Sequence, residues 1–191
     1  PAAIAAVREE AWPQPRSVDE MHEALSGLGL ISAEEARTEL GWQDWLQALA
    51  ADGRATCLQA QPTAPAAWVA AGLLPMLLAL HPQRDYQPRI EAPAEFANVE
   101  WPPESALREL LRARLTALGP ATPGALAASL GVPLQDVDLA LLALQSEGYV
   151  MQGRFSGGSD EEWCERHLLA RIHRYTLRQL RREIEPAAPP D

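Results

Sequence analysis

A mainly α-helical fold with short β wings is what this sequence predicts, on three observations. Helix-start signals recur along the chain, with Ser17 before Glu20, Ser32 before Glu35, and Thr122 before Pro123. Apolar residues repeat at helical spacing, most cleanly at Leu107, Leu110, Leu111, Leu115 and Leu118. Strand signals are confined to short pieces, Arg54–Gln59 and the hairpin-like Tyr149–Phe155.

Taken in order, the first capping box opens a helix to about Ser26 that Gly27 and Gly29 end, and Ser32–Glu35 opens a second to about Leu40. Gly41 turns the chain into a third helix with Trp42, Trp45, Leu46 and Leu49 on its apolar face. Asp52-Gly53 is a turn before the strand RATCLQ. Residues 61–103 read as a Pro-rich connector. Within it only Ala66–His81 looks helical, kinked or divided at Pro75, with residues 82–100 as loop. From Glu104 the pattern repeats. A helix to Leu118 precedes a short helix from Pro123 to Leu130, a turn at Gly131, and a third helix from Pro133 to Gly148 with Val137, Leu141, Leu144 and Leu134 inward. Tyr149–Met151 and Phe155 then frame Gln152-Gly153-Arg154 as a hairpin, and Ser156–Ser159 reads as a flexible joint.

Three helices and a small hairpin, twice over, is the order of tandem winged-helix-like modules. The expected organisation is a first module at residues 1–60, the connector at 61–103, a second module at 104–156, a long basic amphipathic helix at 157–186 and a tail at 187–191.

At 191 residues the chain is long enough for a real core or two small domains, and its formal net charge is -10. It starts at Pro1 rather than Met and ends in AAPPD, so a piece of a longer protein is expected. Neither a secretion signal nor an apolar run of membrane-spanning length is visible, which points to a cytoplasmic protein. Cys57 and Cys164 lie far apart without metal-ligand spacing, so reduced thiols and no zinc site are expected. All basic residues are arginine, a bias that suits a GC-rich genome. Their placement is uneven. Residues 1–100 hold six Arg against fourteen Asp and Glu, whereas residues 163–182 hold six Arg against one Glu.

That second stretch carries the candidate site. On a helix advancing about 100° per residue, His167, Arg171, Arg174, Arg178 and Arg181 fall within roughly 80° of one another. Cys164, Leu168, Leu169, Ile172, Tyr175, Leu180 and Ile184 spread over the remainder. Such a helix packs with one side and offers an arginine row to a phosphate backbone with the other. The competing reading is an arginine row that pairs with the protein's own glutamates or is simply solvated. Arg154, beside Gln152 at the hairpin tip, is a further phosphate contact. The helix after Pro133 exposes Gln135, Asp136, Asp138 and Gln145 with no basic residue, which disfavours base reading in a major groove.

Catalytic patterns are missing. With no GxxxxGK[ST] loop the chain hydrolyses no ATP by itself, and with neither GxSxG nor HExxH it offers no familiar hydrolytic centre. No catalytic residue, metal ligand or cofactor is assigned. Glu9-Glu10, Glu34-Glu35 and Glu161-Glu162 read as helix starts or solvated charge. Gln59-Ala60-Gln61, after the first module's strand, is similar to the Gln-x-Gln signature of AlkZ-like DNA glycosylases. The competing reading there is a surface strand end.

The string EEWCERHLLARIHRYTLRQLRREIEP closely resembles a segment of the Lhr (large helicase-related) family of DEAD/DEAH-type ATP-dependent DNA helicases. GYVMQGRF, RSVDEMHEALSGLGLI, GWQDWLQAL and AWVAAGLLPMLLALHP also look like that family's region beyond its motors, so the resemblance spans about Ser17 to Pro186. His167 departs from it, standing where an arginine is expected. The resemblance implies a non-catalytic, DNA-binding accessory region of a 3′-to-5′ helicase with a place in DNA repair. The partners it implies are single-stranded or forked DNA, RNA–DNA hybrids, and the motor domains of the same parent chain. Arg154, Arg166, Arg171, Arg174, Arg178 and Arg181 are then expected on phosphates, and Trp163 on a base or in the core. Two alternatives remain: a protein–protein adaptor that docks on the motors or self-associates, and a fragment of a glycosylase-like module acting through Gln59 or Gln61.

Overall fold

The structure is a computed structural model that describes residues 1–184; the expected helix end at Pro186 and the tail at 187–191 lie outside the described residues. It is mainly helical with two small antiparallel sheets. Among the described residues no single helix is long and apolar enough to cross a membrane.

The chain opens with α1 (Ala2–Ala11), which has no side-chain cap and no acidic residue in its first turn to announce it. Helix α2 (Val18–Leu28) starts where the Ser17 side chain accepts the Glu20 N–H, and ends at Gly29 with φ 79°. Strand β1 (Ile31–Ser32) leads into α3 (Ala33–Thr38), whose Ser32–Glu35 capping box is complete in both directions. Helix α4 (Trp42–Ala51) buries Trp42, Leu46 and Leu49, and β2 (Ala55–Leu58) follows.

The boundary expected at residue 60 falls inside this unit. Strand β3 (Ala67–Ala70) lies between β1 and β2, pairing Trp68 with both Ile31 and Cys57. The stretch expected to be helical from Ala66 is therefore a strand, then a 3-10 turn, then α5 (Leu74–Leu80), with Pro75 in the first turn of α5 rather than at a kink. A strand buried on both faces reads as an unbroken apolar run, which periodicity does not separate from a buried helix. Residues expected as loop supply β4 (Tyr86–Gln87), which pairs with β2, and the short α6 (Ala94–Ala97).

The second half begins with α7 (Pro103–Leu118). Ala121 bridges to Trp163, and α8 (Pro123–Leu130) and α9 (Leu134–Ser146) follow. Thr122 caps α8 through the Ala125 N–H, as its sequence implies. Leu134, expected inside, is exposed. Strand β5 (Val150–Gly153) pairs not across Gln152–Arg154 but with β6 (Glu162–Glu165), and α10 (Arg166–Ile184) comes last. Two expectations are corrected by this. The Ser156–Ser159 segment is part of the loop within the second hairpin, and the basic helix starts at Arg166, its expected first residues being exposed loop to residue 161 and then the buried strand β6. Glu162 and Glu165 read as helix or solvated charge because their partners are backbone N–H groups, which leave no sequence signature.

Both halves thus run helix, short extended step, two helices and a strand pair, and in both the extended step pairs with the last strand. Helix α7 joins them. Its Leu107, Leu110 and Leu111 share one core with Leu58 and Val69 of the first sheet and Leu141 and Leu144 of α9. Its Ala117 packs instead with Met21, Leu25, Trp42 and Leu46. A buried ionic contact fixes the same helix: Arg114 donates to the Leu30 carbonyl (3.0 Å) and to the Glu35 carboxylate (2.6 Å). Helix α1, expected within the first module, packs its Ala3, Ile4 and Val7 on Cys164, Leu168 and Ile172 at the other end of the chain.

Candidate nucleic-acid interface

Helix α10 is seated at its beginning and projects at its end. The buried Glu165 carboxylate accepts the His167 N–H (2.9 Å) and the Leu168 N–H (2.8 Å), capping the helix with a negative charge at its positive pole. Leu168 and Ile172 then bury against α1. From His173 to Ile184 every residue is exposed. Twelve residues at about 1.5 Å each make an arm about 18 Å long. Tyr175, Leu180 and Ile184, expected to be available for burial, lie on this exposed part.

The arginines divide by position. Arg171 is clipped to Glu10 of α1 at 2.6 Å, so one member of the row does pair with the protein's own carboxylate. Arg174, Arg178 and Arg181 are exposed and, among the described residues, make no ion pair. Arg181 and Arg182 in the last turn also oppose the negative pole of the helix. Arg166 reaches only the Gly148 carbonyl, at 3.5 Å.

Trp163 is the correction in this set. It is 3 % exposed, paired with Ala121 and packed in the main core, so no ring face is open to a base. Its neighbour Cys164 is fully buried. Burial first, and the adjacent Glu165 charge second, push its thiol up to about 12, which makes it unreactive. Cys57 and Cys164 are both unpaired thiols.

Arg154 is exposed at the start of the loop between β5 and β6, not at a tight hairpin tip. That loop is held shut by Glu162, which accepts the N–H groups of Phe155 (2.7 Å) and Ser156 (2.8 Å) and the Ser156 hydroxyl (2.6 Å). Burial raises the Glu162 carboxyl, but the hydrogen bonds from Ser156 and Phe155, with the nearby Arg8 charge, outweigh it and hold the group below its ordinary range. Phe155 lies over Gly153, where a Cβ would meet its ring at 2.6 Å.

Helix α9 presents a different chemistry. Its outer surface carries Gln135, Asp136, Asp138 and Gln145 beside Leu139 (60 % exposed) and Leu142 (50 %). Between α7 and α9 runs an apolar groove of about 250 Å³ that includes Leu107, Val132, Leu139 and Ala143, with Glu104 and Asp136 among its lining. The exposed leucines escaped sequence reading because a helix already supplied with Val137, Leu141 and Leu144 shows no need to leave others outside.

A second, open cleft of about 740 Å³ lies between α1, α3, α7 and α8, lined in part by Arg8, Trp12, Glu35 and Arg114. Trp12 stacks on Trp42 at 5.8 Å, and Arg8 donates to the Leu118 carbonyl (2.6 Å) and to that of Pro120. Gln59 and Gln61 are exposed at the end of β2. The Gln59 amide turns back to the Cys57 carbonyl (3.0 Å), and Gln61 pairs with Ala64 across a tight turn. Buried Arg84 ties that turn down through the carbonyls of Gln59 and Pro65. Among the described residues no group of three or more His, Cys, Asp or Glu side chains is placed to hold a metal ion. No known family model matches the chain, and neither does any curated protein.

Proposed function

We propose that this chain is a non-catalytic, nucleic-acid-binding accessory region of a cytoplasmic ATP-dependent DNA helicase, built from two winged-helix modules and a basic arm, its motors lying elsewhere in the parent. The observation that carries the reading is the exposed half of α10, with Arg174, Arg178 and Arg181 turned to solvent in a protein of net charge -10. Exposing Arg174, Arg178 and Arg181, which make no ion pair among the described residues, over about 10 Å of the arm does nothing for the core, but it suits the charged backbone of a single strand. The matching strand order of the two halves supports the winged-helix reading, as does the resemblance to Lhr-type helicases. The acidic surface of α9 directs DNA to the arm and Arg154, so contacts are to the backbone and carry little sequence preference.

Fluorescence-anisotropy titration with a single-stranded and a forked oligonucleotide, at low and high salt, tests this. Binding that weakens steeply with salt is the expected result. Salt-independent binding, or none at low salt, overturns the proposal.

A second reading is favoured by Leu139 and Leu142. Winged-helix modules also serve as protein adaptors, and an acidic surface with two exposed leucines suits a protein partner, the motor domains of the parent among them. Capture of a motor fragment that is lost on Leu139→Asp, with DNA binding intact, is the outcome that distinguishes it.

A further inference from the structure

The arm of α10 has a second surface. His173, Leu177, Leu180 and Ile184 recur at the alternating four- and three-residue spacing of a coiled-coil seam. On the helix this stripe is centred about 110° away from the arginine row. Leu177 is 40 % exposed, Leu180 47 % and Ile184 78 %, so the seam has no partner among the described residues. Arg174 and Arg181 flank one of its edges.

The groove between α7 and α9 has the complementary properties. It is apolar along Leu80, Leu107, Val132 and Leu139, and its charged lining is Glu104, Asp136 and Arg108, the last facing Glu109 and Glu147 at 3.9 and 3.8 Å. Among the described residues neither the Glu104 nor the Asp136 carboxylate is in an ion pair, and neither is Arg174 or Arg181. The apolar halves of both surfaces and these four charges are therefore unpartnered among those residues, and the two pairs of charges are opposite in sign.

We propose that the arm of α10 docks into the α7–α9 groove of a second copy of this chain. The stripe fills the groove while Arg174 and Arg181 meet Glu104 and Asp136. Arg178 and Arg182, on the far side, stay outside the contact. The interface is heterologous, with different surfaces on the two copies, so two copies either exchange arms reciprocally or add head to tail. Docking shares Arg174 and Arg181 with the DNA-binding proposal, so the two contacts compete, but the test contains no nucleic acid and its outcome is independent of whether DNA binds.

The experiment is sedimentation equilibrium of the full chain over a wide concentration range. The mass is expected to rise above the 20.8 kDa of one copy. Leu180→Asp and Leu139→Asp change exposed residues, and circular dichroism checks that both fold. Each alone is expected to weaken association about tenfold or more, as loss of an interface anchor does. Mixed together they are expected to form a one-to-one pair, because one variant keeps the groove and the other keeps the arm. A chain that stays at the mass of one copy throughout overturns the proposal. So does association that survives both substitutions, or a mixture of the two variants that does not pair.

Discussion

Arg114→Met tests how the two halves are locked together. Arg114 lies on α7 with its side chain 4 % exposed, and it spans to the first half through Leu30 and Glu35. Methionine keeps most of the length and removes the charge. The Leu30 carbonyl then loses a buried donor, worth about 1–3 kcal/mol. Glu35 loses its partner but keeps the Ser32 N–H at 2.8 Å, and at 24 % exposure it recovers some hydration. Breaking a fully buried pair costs about 3–5 kcal/mol, so partial exposure places this one at about 3 kcal/mol. For a chain of this size that lowers the melting temperature by about 6–12 °C. The comparison is Arg89→Met, which removes the Arg89–Asp85 pair, exposed at 65 % and 79 % and therefore worth only a few tenths of a kcal/mol, about 1 °C. Differential scanning calorimetry of both variants decides the matter. If Arg114→Met melts no lower than Arg89→Met, the Arg114 contact does not hold the halves together and the reasoning fails.

Three exposed arginines at about 0.7 each predict that the triple change of Arg174, Arg178 and Arg181 to Ala lowers the slope of log affinity against log salt for single strands by about 2. Glu10→Gln frees Arg171, so the same titration should steepen by about 0.7 if that arginine then reaches a phosphate. Gly131 has φ +65°, and a Cβ there would lie 2.2 Å from that of Ala64, so Gly131→Ala is expected to cost about 3 kcal/mol in urea unfolding. Glu162 is held below its ordinary value near 4.5, so its contribution is present above that pH and lost as the pH falls through the lower folded value. The melting-temperature advantage of the wild type over Glu162→Gln should accordingly shrink from pH 7 toward pH 3.

What was legible in the sequence was local. Ser32 with Glu35 and Thr122 before Pro123 fix helix starts through bonds three residues away, and both bonds are present. The arginine row was legible for the same reason, since helical spacing is a local property. Strands β3 and β6 and the Glu10–Arg171 pair were not legible because they depend on distant partners. Strand β3 exists because Trp68 finds Ile31 and Cys57, and β6 because Trp163 finds Ala121 and Gln152. Glu165 looked like one more helical charge, yet it is the cap that starts the arm. The Glu10–Arg171 pair joins positions 161 residues apart, and nothing near either residue announces the other.

That same separation sets an order of events during synthesis. Ile4 and Val7 have their packing partners on α10, so α1 leaves the ribosome with its apolar stripe unmatched. At about 5–20 residues per second, the delay before Arg171 is made is roughly 8–32 s. Both halves have time to fold in that interval, so α1, made ahead of both, is put away after them.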